Sequence, residues 1–90
     1  MNQTEAPWLS KYLDEKEKSP EVLVFYRMGG FYELFFGDAR RACKLLDLTL
    51  TCRRDSAGEP VPMAGVPAHS LAARLGTLAA LGVSAVVVES

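Results

Sequence analysis

The sequence has no long apolar run. Its longest uninterrupted stretches, residues 22–26 and 85–88, fall far short of the roughly 20 residues that a bilayer-spanning helix needs. The N-terminus is polar and lacks the apolar centre of a signal peptide. Cysteine occurs only twice, at Cys43 and Cys52, without C-x-x-C spacing. Free thiols in a reducing cytoplasm are the expectation. There is one histidine, His69, and no grouping of His, Cys and carboxylates that would serve a metal. Neither a Walker A pattern nor G-x-G-x-x-G is present. Charge of one sign is also lacking. Ten basic residues against eleven acidic ones leave a net charge of -1. That balance argues against a small nucleic-acid binder working alone, and against a polybasic membrane anchor.

What remains is ordinary for a globular domain. The chain of 90 residues is 49% hydrophobic, 23% charged and 9% aromatic, which suits one domain over residues 1–90 with one modest core. Charge is uneven along it. Residues 22–54 hold Arg27, Arg40, Arg41, Lys44, Arg53 and Arg54 against Glu33, Asp38 and Asp47, a local excess of basic charge. The flanking thirds are acidic, so only the middle could meet a polyanion by charge.

The periodicities predict a mixed α+β fold. Trp8, Leu9, Tyr12 and Leu13 form one stripe of a helix over residues 7–18. Ser19-Pro20 ends it, because the residue before a proline is pushed out of the helical region. A hairpin over 22–36 follows, its first strand apolar on both faces and therefore central, with Met28-Gly29-Gly30 as the turn. Asp38 is expected to cap a helix over 38–47, with Ala39, Ala42, Cys43, Leu45 and Leu46 inward and Arg40, Arg41 and Lys44 outward. Residues 48–53 alternate as a strand. Pro60 and Pro62 remove two backbone donors, so the extended segment to Pro67 is expected at an edge. Ser70 is expected to cap a helix over 70–81, with Gly82 just past its end. A last strand covers 83–89. The predicted order is α-β-β-α-β-(β)-α-β, a small mixed sheet of about four to five strands packed with about three helices.

No residue set supports catalysis. His69 has no nucleophile or carboxylate partner by any known spacing. Cys43 reads as a small hydrophobe on a helix. Glu33 and Glu59 are not a visible acid–base pair. The informative segment is Gly29-Gly30-Phe31-Tyr32-Glu33-Leu34-Phe35-Phe36. In a strand, Phe31, Glu33 and Phe35 share one face and Tyr32, Leu34 and Phe36 the other. A buried, unpaired carboxylate between two phenylalanines is costly. Either that face is partly open, or Glu33 pairs with an arginine such as Arg27 or Arg53. In the first case Phe31 is a wedge of the kind that unstacks a base step from the minor groove. In the second it is core. The residues alone favour the second.

Three further strings decide the matter. Phe25-Tyr26-Arg27-Met28-Gly29-Gly30-Phe31-Tyr32-Glu33-Leu34-Phe35 resembles the mismatch-recognition segment of the MutS family of DNA mismatch-repair proteins. Leu45-Leu46-Asp47-Leu48-Thr49-Leu50-Thr51 is similar to that family's next helix-to-strand passage. Ser56-Ala57-Gly58-Glu59-Pro60-Val61-Pro62-Met63-Ala64-Gly65-Val66-Pro67, followed by His69, is similar to its proline-rich stretch. The resemblance runs from about Pro7 to Glu89. It implies an N-terminal mismatch-recognition domain in which Phe31 enters the minor groove and stacks on a mispaired or unpaired base, while Glu33 hydrogen-bonds that base. By matching position it implies DNA contacts at Met28, Thr51, Arg53 and Met63. The implied partners are double-stranded DNA with mismatches or small loops and the rest of a MutS-like protein or dimer, with no membrane and no small-molecule substrate. The family's ATP and magnesium belong to an ATPase part outside these 90 residues, so this chain is expected to be no enzyme and to hold no cofactor. Arg53, Arg54, Arg40, Arg41 and Lys44 could meet phosphates, although the helical trio reads first as a solvated face.

The sequence also departs from the family pattern. Gly30 stands where aspartate is usual, Cys52 where a basic residue is common, Arg54 where a small one is common, and Ala68 where an aromatic precedes His69. Ala6 replaces a threonine, removing a helix cap worth about 1 kcal/mol. An alternative function therefore stands beside mismatch binding: a protein-interaction or regulatory module that docks on a repair protein without touching DNA.

Overall fold

The computed structural model describes residues 7–89, so Ala6 and its missing cap lie outside the described residues. Helix α1, Pro7–Lys18, begins and ends where the apolar stripe and Ser19-Pro20 place it. Strands β1 (Leu23–Met28) and β2 (Phe31–Phe35) follow, then α2 (Phe36–Leu46), β3 (Thr51–Arg54), β4 (Pro60–Pro67), a 3-10 turn (Ala68–Ser70), α3 (Leu71–Ala80) and β5 (Ala85–Val88). This is the expected order. The sheet runs β3-β4-β2-β1-β5. β1 pairs in parallel with β5, and the other ladders are antiparallel. β1 is internal, as its apolar residues on both faces require.

Each face of the sheet carries its own core. Leu23, Phe25, Tyr32, Leu34, Ala64 and Val66 turn to α2 and α3, where Ala39, Ala42, Leu46 and Leu78 meet them. Val24, Tyr26, Phe35 and Val61 turn to the other side, against Leu9 and Tyr12 of α1. α1 is fastened by a buried polar knot. Tyr12 Oη donates to Asp38 Oδ2 at 2.7 Å, Lys16 Nζ donates to Asp38 Oδ1 at 2.9 Å, and the Val24 amide donates to Asp38 Oδ2 at 3.1 Å. The Phe35 carbonyl, 3.0 Å from Tyr12 Oη, shares that single phenol proton as a second acceptor. Burial and the neighbouring Asp38 carboxylate push the Tyr12 phenol far above its ordinary range.

Five expectations need correction. Asp38 does not cap α2: the helix starts at Phe36, directly after the strand, and the Asp38 carboxylate is taken by α1 and β1. Phe36 consequently heads the helix, not the strand, at φ 55, a left-handed backbone that bulky residues rarely adopt. Ser70 makes no capping bond: it is the last residue of the 3-10 turn that carries the chain directly into α3. The third strand is Thr51–Arg54, not 48–53, since pairing with β4 starts only at Thr51 opposite Met63, and all four of its residues are exposed. Lastly, β4 is interior, not an edge. Its ladder with β2 uses residues 63–67, whereas Pro60 and Pro62 pair only with β3. Their missing N–H groups thus leave no gap between β2 and β4.

The end of α3 is as expected. Gly82 has φ +75 and donates to the Ala79 carbonyl at 3.0 Å, while Val83 donates to the Leu78 carbonyl at 2.9 Å. These are the paired bonds of a Schellman motif. Among the described residues, no helix is long and apolar enough to cross a membrane.

Candidate functional site

The pairing register determines which side chains share a face. Met28 stands opposite Phe31, Tyr26 opposite Glu33, and Phe35 opposite Met63. Across the next ladders, Glu33 faces Gly65 and Met63 faces Thr51. All of these point to the side that carries α1. Yet α1 covers only part of it, over Val24, Tyr26, Phe35 and Val61. The remainder is open, and Phe31, Glu33, Thr49, Thr51, Met63 and Gly65 line a shallow concavity of about 360 Å³ there.

Phe31 begins β2, directly after the Gly29-Gly30 turn. Gly29 has φ +62, which a glycine adopts without cost and which the two-residue connection requires. The turn is braced from the opposite face. Arg27 Nε donates to the Gly29 carbonyl at 2.6 Å, and its Nη1 donates to Tyr32 Oη at 2.9 Å. Tyr32 Oη in turn donates to Glu89 Oε2 at 2.7 Å. Tyr32 is thus buried, as its alternation predicts. Phe31 is 47% exposed. Leaving half of a phenylalanine in water forgoes on the order of 1 kcal/mol of burial, so this position is not chosen for stability.

Glu33 is half-buried, and burial raises its carboxyl above the ordinary glutamate range, partly offset by the Arg53 guanidinium. Of the two arrangements open to it, the structure shows the partly open face. Arg27 lies on the opposite face. Among the described residues no cation comes within ion-pair distance of Glu33. A carboxyl so placed accepts hydrogen bonds when ionised and donates one when neutral.

The other sequence-derived candidates fall as follows. Thr51 and Met63 join Phe31 and Glu33 in the concavity. Met28 flanks Phe31 and packs partly against the α1-side core. Arg53 shares the face but lies over the Trp8 ring, 5.0 Å from its centroid. Arg54 alternates to the other side and donates to the Gly58 carbonyl at 2.8 Å. Arg40, Arg41 and Lys44 are exposed on α2, which covers the face opposite Phe31. None of them lines the concavity, although Arg40 borders an adjacent depression that shares Thr51 with it. Gly30 is exposed with nothing near the place of a side chain, so the missing aspartate leaves no hole. Cys52 is exposed on the opposite face to Thr51.

Sequence reasoning missed two lining residues, Thr49 and Gly65. Gly65 follows from period-two alternation with Met63, whereas Thr49 precedes the strand that begins at Thr51 and has no such signal. The edge assignment of residues 60–67 hid Gly65. No group of three or more His, Cys, Asp or Glu able to hold a metal occurs among the described residues.

The family model described as MutS domain I matches residues 6–90. The match covers nearly the whole chain, which belongs to that family, the mismatch-recognition domain of MutS, a DNA-recognition unit and not a catalytic one.

Proposed function

We propose that this MutS domain I senses mismatches by inserting Phe31 into the minor groove beside a mispaired or unpaired base, with Glu33 hydrogen-bonding that base. The observation that carries this reading is the exposure of Phe31 at a hairpin tip, next to Glu33, on the half of the sheet that α1 leaves open. A mismatch stacks and pairs poorly, so kinking there costs less than kinking matched duplex. A wedge converts that difference into selectivity without reading a sequence. Glu33 repels phosphates and favours sites where a base edge is available. Thr51, Met63, Met28 and Arg53 flank the pair and would meet the groove and backbone.

The ligand is double-stranded DNA with a mismatch or a small loop. The rest of a MutS-like protein or dimer delivers the module, in the cytoplasm, and the binding step uses no nucleotide or metal. With a net charge of -1, the module alone gains little from counterion release and binds weakly. Fluorescence anisotropy at low salt, with a G·T-mismatched duplex and its matched control, tests the reading. Preference for the mismatch is expected. Equal binding to both duplexes, or binding to a repair protein and to neither duplex, contradicts it, and the latter result favours the docking alternative.

A further inference from the structure

Gly65 stands directly opposite Glu33 in the β2–β4 ladder. A Cβ built at Gly65 would lie 2.6 Å from Glu33 Oε2, 2.7 Å from Oε1 and 2.9 Å from Cδ. The Glu33 carboxyl therefore occupies the space that any other residue at position 65 would need. The other glycines outside turns, Gly37 and Gly76, have nothing within 4 Å of such a Cβ. Opposed strand residues normally keep their Cβ atoms about 4.5–5.5 Å apart and their side chains side by side. Here one partner is absent, so Glu33 lies down across β4.

We propose that Gly65 is a positioning residue for base recognition: by having no side chain, it lets the Glu33 carboxyl group lie against the sheet beside Phe31. The proposal rests on the assignment of Phe31 and Glu33 to mismatch contact. The groups facing Glu33 are Tyr26 from β1 and Arg53 from β3, with Thr49, Thr51 and Met63 around the concavity. The three atoms nearest a methyl group at position 65 all belong to the far end of the flexible Glu33 side chain. The fold survives it, and the carboxyl moves out into water. Two consequences follow. The Glu33 carboxyl loses the burial that raises its titration. It also no longer presents its oxygens at the level of the wedge.

The test uses the 90-residue chain with Gly65→Ala, Glu33→Ala and both together. Carboxyl-detected NMR follows the Glu33 titration without DNA, and anisotropy compares mismatched with matched duplex. Gly65→Ala is expected to fold, to shift the Glu33 midpoint down toward the ordinary glutamate value, and to lose as much mismatch preference as Glu33→Ala. It adds no further loss in the Glu33→Ala background. An unchanged midpoint overturns the proposal. So does an unchanged preference in Gly65→Ala where Glu33→Ala lowers it. If Gly65→Ala fails to fold, folding of the double variant supports the proposal and failure of the double variant overturns it. If Glu33→Ala and Phe31→Ala both keep full mismatch preference, the underlying assignment fails, and the titration still decides whether Gly65 seats the carboxyl.

Discussion

Phe31 and Phe35 point to the same face of one strand, four residues apart, yet Phe35 is fully buried and Phe31 is 47% exposed. The difference is α1. Its Trp8 ring lies 4.7 Å from Phe35 and its Tyr12 ring 5.0 Å, both measured between centroids, and the helix does not reach Phe31. One strand thus supplies a core residue and a free aromatic with the same residue type.

The two substitutions should therefore separate stability from binding. Phe35→Ala is expected to cost about 3–5 kcal/mol in urea unfolding. Phe31→Ala should stay within about 1 kcal/mol of the parent and lose mismatch preference. A large stability loss in Phe31→Ala would place it in the core.

The polar knot at Asp38 predicts a second separation. Asp38→Ala leaves the Tyr12 hydroxyl and the partly buried Lys16 ammonium without their carboxylate. A loss of about 3 kcal/mol or more is expected. Tyr12→Phe removes one donor and should cost about 1–2 kcal/mol. Equal, small losses in chemical denaturation would contradict the role of Asp38 as the link between α1, β1 and α2.

Glu33 gives a pH dependence of unusual sign. Its carboxyl is raised by burial, so the folded chain binds more protons than the unfolded chain. Stability then falls as pH rises from the ordinary glutamate value of about 4.3 through the higher folded value. Glu33→Gln should be more stable than the parent at neutral pH, and the difference should shrink on acidification. Denaturation series across this range check it. A difference that is constant with pH rules out the burial account.

The basic residues sort by face. Replacing Arg41 and Lys44 together should leave mismatch binding unchanged, because both are exposed on α2, which covers the opposite side of the sheet, and neither borders the concavity. Arg53→Ala should weaken binding to all duplexes and lower the salt slope by about one. Salt titrations of both variants decide this.

The sequence made the architecture legible wherever local chemistry acts alone. The α1 stripe, the Gly29-Gly30 turn and the Gly82 terminator each sit where residue type and spacing place them. It misled where a distant partner overrides local preference. Asp38 has an ideal capping side chain, but Tyr12 and Lys16, more than twenty residues away, take its carboxylate. Pro60 and Pro62 signal an edge, yet β4 is shielded from that rule because β2 pairs only beyond them. At the site, alternation placed Phe31 and Glu33 on one face, but it could not show that α1 stops short of them. That depends on tertiary packing. The same limit hid Gly65, whose importance is the space it leaves for a side chain on another strand.

The most direct test of the account is fluorescence of 2-aminopurine placed beside a mismatch, titrated with the parent chain and with Phe31→Ala. Insertion of Phe31 predicts that the parent changes the probe's stacking, and hence its emission, at the mismatch and not in matched duplex, and that Phe31→Ala abolishes the change. An identical change with Phe31→Ala, or the same change in matched duplex, would contradict it.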